Sequence, residues 1–381
     1  MIEPHANLQP RNRFAIEFVR WIALSWVAMG CALLPSFGTP QEASNLYQER
    51  ENRQAASPAK PSPSATPIAP LPSFNSPQLD QQIRTYQRYL AANGRPDFLI
   101  VGSSRALQGV DPIALEKALA ELGHSNRRVY NFSINGSTAQ VVAFKLEQLL
   151  LPEQLPRMII WADGARAVNS GRRDRTFANI LNSPGYRQLQ RQHQSTTQSN
   201  ASLNAPTEPA PTPADPWLET QGFRPIVDVF EPKQYFQKFP RVSGRYDADY
   251  HNFSLTGIQD RSLREIIKTT RDRKIPIIFV NLPLTDLYLD STRHRHEQQF
   301  RRYFQGFANQ GLLTFIDLNQ QPMPPYSLFA DPSHLNRQGA IAVAESLGQK
   351  LATYLDRLQG KSALLNRNMI CRRTGTSTNL R

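Results

Sequence analysis

Five short apolar runs constrain this chain most: FLIVG at 98–102, RVYNF at 128–132, MIIWA at 158–162, IPIIFVN at 275–281 and LTFIDL at 313–318. They are rich in β-branched residues, bounded by turn residues, and alternate with amphipathic helical segments. Asp111-Pro112 opens one helix with an N-cap and a proline at the first helical position. A second, from about Thr138 to Leu151, carries Val142, Leu146 and Leu149 on one face, and two more are expected near 258–273 and 293–309. The last, about 337–358, shows Ala340, Ala344, Leu347, Leu351, Leu355 and Leu358 at helical spacing. Near-continuous apolar strands alternating with helices predict an α/β fold: a three-layer α/β/α domain around a mostly parallel five-stranded sheet. Such sheets bind ligands beyond the carboxyl ends of their strands.

Composition locates the attachments. Of 30 prolines, 7 fall in 58–77 and 5 in 206–216, so the excess is confined to two tracts. Residues 42–77 read as a Pro-rich, partly polyproline linker, and the Gln-, Ser-, Thr- and Pro-rich stretch of about 188–216 as a disordered surface insertion. The α/β domain is expected over 78–360, followed by a basic tail over 361–381. Residues 21–41, WIALSWVAMGCALLPSFGTPQ, carry no charge. Read as a signal-anchor, this transmembrane helix crosses the inner or plasma membrane once. Arg11, Arg13 and Arg20 ahead of it then place residues 1–20 in the cytoplasm and the domain outside, in the periplasm. A cleaved signal peptide and a buried core helix are the rival readings of the same run.

The formal net charge is +13, but lysine and arginine are scattered and no nucleic-acid motif occurs, so nucleic acid is set aside as a partner. Anionic headgroups or acidic glycans suit that charge better. Two cysteines exclude a disulfide scaffold or a Cys-rich zinc module. His294, His296 and Glu297 in RHRHE suggest metal ligands, yet positions i and i+2 point to different faces, so a solvated helix face is the simpler reading. No metal and no cofactor are expected.

Chemistry-bearing residues gather at the strand ends. Gly102-Ser103-Ser104-Arg105 follows the first strand, where a serine in a tight strand-to-helix turn is exposed and its N–H points where an oxyanion forms. A Ser-rich turn or a phosphate-binding nest fits the same residues. After the second strand, Gly136 lets backbone approach a ligand and Thr138 is placed to cap a helix. Before the last helix, Asp331 and His334 lie three apart in DPSHLN, so the carboxylate orients the imidazole while the other ring nitrogen faces a nucleophile. With Asn336 as N-cap, His334 lies just ahead of a helix N-terminus. Arg105 is a candidate for holding an anionic substrate group.

The order of these sites resembles the SGNH, or GDSL-like, hydrolase superfamily. There a GDS-type block follows the first strand, a Gly block follows the second, and an Asp-x-x-His block precedes the last helix. The resemblance implies Ser104 as nucleophile, His334 as general base, Asp331 as its orienting acid, and an oxyanion hole from the N–H groups of Ser104 and Gly136. Ser103 stands where Asp is usual. The family's Gly-x-Asn-Asp after the third strand is replaced by ADGARAV, with Asp163 in that region and Asn169 or Asn281 as substitutes for the missing oxyanion donor. Over 98 to about 358 the chain is more closely similar to membrane-anchored SGNH-like proteins of unknown function with GSSR, VNLPLT and DPSHLN motifs, all three present here. It is more distantly similar to the D-alanyl transfer protein of teichoic acid synthesis and the alginate O-acetylation proteins.

What these resemblances imply is a membrane-anchored serine esterase or O-acyltransferase acting on envelope polysaccharide, with an acyl-donor protein as a candidate partner. Arg105, Asp163 and Asn281 are then candidates for substrate contact. The alternative is a catalytically degenerate domain that binds glycan or scaffolds an assembly, a reading favoured by Ser103 and the missing asparagine. The separation of Ser104 and His334 discriminates between them.

Overall fold

All five apolar runs are strands of one sheet in the computed structural model, whose described residues are 72–196, 218–219, 221–242, 250, 252–320 and 322–373. They are β1 (Phe98–Val101), β2 (Val129–Asn131), β3 (Met158–Asp163), β4 (Ile277–Asn281) and β5 (Thr314–Asp317). The order is β2-β1-β3-β4-β5 and every pairing is parallel. Strand side chains alternate between faces, and this explains why the runs are apolar throughout. Leu99, Val101, Ile159, Trp161 and Phe279 enter one core, while Phe98, Ile100, Ile160, Ala162 and Val280 enter a second on the opposite face.

Helices cover both cores. Against the first pack α1 (Pro77–Asn93), α4 (Ala139–Ala143, prolonged by a wider π-type turn, Phe144–Leu149), α8 (Ile258–Asp272) and α9 (Ser291–Asn309). Against the second pack α2 (Ser104–Gly109), α3 (Pro112–Glu121) and α10 (Arg337–Arg373). The three-layer α/β/α architecture is therefore present. Shorter helices α5 (Arg175–Leu181), α6 (Pro184–Thr196) and α7 (Pro232–Lys238) lie in the long connection from β3 to β4. A separate antiparallel ribbon, β6 (Phe329–Asp331) with β7 (His334–Leu335), precedes α10.

Several boundaries differ from expectation. The domain begins before residue 78: Phe74 is buried, its ring centroid 5.6 Å from that of Phe144, and its N–H donates to Asp80. One aromatic residue thus ties the end of the expected linker into the core. Helix α1 adds to the helices expected from the sequence, and Leu79, Tyr86, Tyr89 and Leu90 form its buried face. Helix α6 runs nine residues, 188–196, into the stretch expected to be a disordered insertion. Ser183 caps it, accepting from the Tyr186 N–H at 3.0 Å, Leu189 is buried, and Gln and Arg are good helix formers. Helix α10 continues past 358 into the expected tail, because no proline interrupts 337–373 and each of its glycines, Gly339, Gly348 and Gly360, costs at most about 1 kcal/mol. Among the described residues no helix is long and apolar enough to cross a membrane. The expected anchor 21–41, residues 1–20, most of the 42–77 linker and residues 197–217 lie outside the described residues.

Candidate active site

Strand order reverses between β1 and β3, so the chain leaves these neighbouring strands in opposite directions and opens a crevice at their carboxyl ends. Ser103 and Ser104 follow β1 at this point. Gly102 leads into them with φ 154°, and a Cβ there would strike the Ala162 carbonyl oxygen, so only glycine lets β1 leave so close to β3. Ser103 caps α2 by accepting from the Arg105 N–H. Its own N–H and hydroxyl donate to the two oxygens of Asp163, at 2.8 and 3.0 Å. The turn is thereby fixed to the end of β3, and Ser104, half-buried, faces the crevice.

Ser104 Oγ lies 2.9 Å from His334 Nε2, and His334 Nδ1 lies 2.7 Å from Asp331 Oδ2. The ribbon β6–β7 makes this possible by pairing Asp331 with His334. Its turn is closed by the Ser333 and His334 N–H groups, which donate to Asp331 Oδ1 at 2.7 and 2.9 Å. Burial raises the Asp331 carboxyl, but the His334 charge and hydrogen bond, with those from Ser333, outweigh it and the net shift is downward. An ionised Asp331 only accepts, so the His334 proton sits on Nδ1 and the Nε2 lone pair is left for the Ser104 hydroxyl. Asn336 caps α10, accepting from the Gly339 N–H at 3.1 Å, which places His334 just ahead of that helix as expected.

Ser104, Asp331, His334, Gly136 and Asp163 line one cavity of about 600 Å³. Gly136 has φ 72°, and a Cβ there would strike Thr176 Oγ1, so glycine is required for this close approach. Its loop is held from behind: Ile134 N–H donates to Gly102 O at 3.2 Å and Lys145 Nζ to Phe132 O at 2.8 Å. The N–H groups of Ser104 and Gly136 enter no hydrogen bond among the described residues. Thr138 precedes α4 without capping it; its hydroxyl donates to Asp174 instead.

The remaining candidates are placed elsewhere. Arg105 is buried, and its guanidinium donates to the carbonyls of Leu282 and Pro283, so it braces the exit of β4 rather than meeting substrate. Asn281 Nδ2 donates to Asp317 at 3.0 Å, and Asn169 Oδ1 accepts from the Gly171 and Ser254 N–H groups. Both asparagines lie away from the cavity wall, where the asparagine present is Asn135. Asp163 lines the cavity with its oxygens engaged by Ser103 and Gly164. Burial raises its carboxyl against the pull of Arg105, Ser103 and Arg166, and the net shift is upward. Glu297 is not on a solvated helix face: it is fully buried, near enough to Arg105 and Arg301 to feel their charge. Sequence reasoning missed Arg166, Arg172, Arg173 and Arg175, which all line the cavity. Their clustering after the third strand was the signal.

No family model and no curated protein matches this sequence. Among solved structures, a G-D-S-L family protein from Desulfitobacterium hafniense DCB-2 is 11% identical, covering 66% of this chain and 98% of its own, with a TM-score of 0.34. A catalytic mutant of an acetylxylan esterase from Geobacillus stearothermophilus is 14% identical over 66% of this chain and 92% of its own, with a TM-score of 0.37. An α/β hydrolase from the metagenome of Lake Arreo, Spain, is 14% identical over 68% of this chain and 94% of its own, with a TM-score of 0.35.

Proposed function

We propose that this protein is an SGNH-type serine esterase or O-acyltransferase, anchored by its N-terminal segment and acting outside the cytoplasm on acylated envelope polysaccharide. The observation that carries the chemistry is the 2.9 Å approach of Ser104 Oγ to His334 Nε2, with Asp331 behind the imidazole. Ser104 Oγ attacks the ester carbonyl carbon and its proton passes to His334 Nε2. The N–H groups of Ser104 and Gly136 hold the resulting oxyanion. Collapse breaks the bond to the leaving alcohol, which takes the proton from His334, and leaves an acyl-Ser104. Water or a sugar hydroxyl then gives its proton to His334 and attacks the acyl carbon, and collapse breaks the bond to Ser104 Oγ, which takes the proton back from His334. The scaffold alternative draws its support from the missing third-block asparagine, but a separation at hydrogen-bonding distance favours catalysis.

Ser104→Ala should abolish turnover of p-nitrophenyl acetate and labelling by a fluorophosphonate while leaving the melting temperature within a few degrees; retained turnover rejects the reading. The cellular side has its own test. A reporter fused after Arg381 should be active only outside the cytoplasm, and cytoplasmic activity would remove both the anchor topology and the envelope substrate.

A further inference from the structure

We infer that Arg173 and Arg175 form an anion subsite in the wall of the Ser104 cavity, selecting acyl esters that also carry a carboxylate or a phosphate; the inference rests on Ser104 being the acyl-transferring nucleophile. Both arginines are exposed, both line the cavity that Ser104 and His334 open into, and neither guanidinium is engaged among the described residues. The acid between them does not neutralise them. Asp174 turns inward, where one oxygen accepts from the Phe177 N–H at 2.8 Å and the other from the Thr138 hydroxyl and, at 3.4 Å, from Gln259.

The segment that presents them is fixed on both sides. Ser170 N–H donates to Ser254 O at 2.8 Å ahead of the arginines, and the Asp174 cap and the packing of Thr176 on Gly136 hold the chain beyond them. Of the other acids in the wall, Asp331 is occupied by His334, Asp163 by Ser103 and Gly164, and Asp228 alone is exposed. Arg166 and Arg172 add positive charge to the same wall. A cavity of about 600 Å³ holds a sugar unit beside the ester, and guanidinium forks pair with carboxylate or phosphate oxygens.

Three acetylated substrates test this with the full chain: a neutral methyl glucoside, a methyl glucuronoside and glucose 6-phosphate. The wild type should favour one or both anionic esters by about tenfold or more in kcat/KM, and whichever is preferred identifies carboxylate or phosphate as the source. Arg173→Gln with Arg175→Gln should bring the anionic-to-neutral ratio close to one, through KM. Arg173→Lys with Arg175→Lys should keep part of it, and about 0.5 M NaCl should lower it in the unaltered protein, so the test survives a poorly folded variant. A wild-type ratio near one, or a ratio insensitive to both the glutamine pair and salt, overturns the subsite. Turnover of the neutral ester that survives Ser104→Ala overturns the nucleophile instead, so the two failures are distinguishable.

Discussion

Thr285 grips the carbonyl oxygen of Pro332 twice, through its hydroxyl at 2.8 Å and its N–H at 3.2 Å. The two residues belong to VNLPLT and DPSHLN, and Arg105 of GSSR reaches the carbonyls of Leu282 and Pro283 in the first of these. Three motifs far apart in sequence are therefore one bonded unit, in which Ser104 meets His334 at 2.9 Å while Arg105 and Thr285 hold the segments around them.

Thr285→Val keeps the side-chain shape and removes one of the two bonds to Pro332. The loss should cost about 1 kcal/mol of stability. Because the freed turn carries His334, kcat should fall several-fold with KM little changed, and Thr285→Ser should restore it. A kcat unaffected by valine would show that the ribbon holds His334 without Thr285.

Asp331→Asn removes the acceptor that keeps the His334 proton on Nδ1, so the tautomer able to take the Ser104 proton is lost and kcat should fall roughly 10³- to 10⁴-fold. The carboxyl is held below its usual value of 3.8, so its contribution to stability is present above that pH and is lost as pH falls through the lowered value. The variant should accordingly be less stable than wild type at neutral pH, with the gap closing only in strong acid. A gap already closed at pH 5 would mean that Asp331 is not the stabilised anion described above.

Lys145 gives a pH dependence of the same sign in a higher window, from a charge that burial penalises rather than one the fold stabilises. Fully buried, it is pushed down to about 7 by desolvation, against the pull of Asp163. An unfolded lysine holds its proton to about 10.4, so between these values the unfolded chain binds more protons and wild-type stability rises with pH. Lys145→Met removes that dependence while leaving Phe132 O without its partner, a cost of roughly 1–3 kcal/mol at every pH. The melting temperature of the variant minus that of wild type should therefore decline steadily from pH 7 to pH 10. A flat difference would show that Lys145 does not titrate in this range.

Much of this was legible in the sequence, for identifiable reasons. Strands β1 to β4 are buried on both faces and cannot be written without apolar runs, and Ser104, His334 and Asp331 sit in short local patterns. What escaped depends on partners distant in the chain. Arg105 beside the serine read as a substrate contact because nothing local shows that its acceptors lie at 282 and 283. Glu297 read as solvated because its surroundings are RHRHE, yet Arg293, Glu297, Phe300 and Phe304 recur at helical spacing and form the buried side of α9. The ribbon β6–β7 is too short to leave any periodicity.

Ser103 stands where the resembled family has an aspartate, and in this chain it donates through its N–H and hydroxyl to a carboxylate of the neighbouring strand, Asp163. Ser103→Asp would set two carboxyl groups against each other where Ser103 Oγ now lies 3.0 Å from Asp163 Oδ1, in a site that burial already makes hostile to charge. Both cannot ionise at that distance, so one must stay protonated. The substitution should cost several kcal/mol near neutral pH, as unpaired buried charges do. The penalty should shrink as the solution is acidified toward pH 5, because protonating one partner relieves it. The exchange variant, Ser103→Asp with Asp163→Ser, keeps one carboxylate and one hydroxyl across the same gap. It should recover most of the melting temperature and some esterase activity, since the link between the exits of β1 and β3 is rebuilt with its partners reversed. Equal melting temperatures for Ser103→Asp and wild type at pH 8, or an exchange variant no better than the single one, would show that the Ser103–Asp163 bond is not what fixes the nucleophile turn.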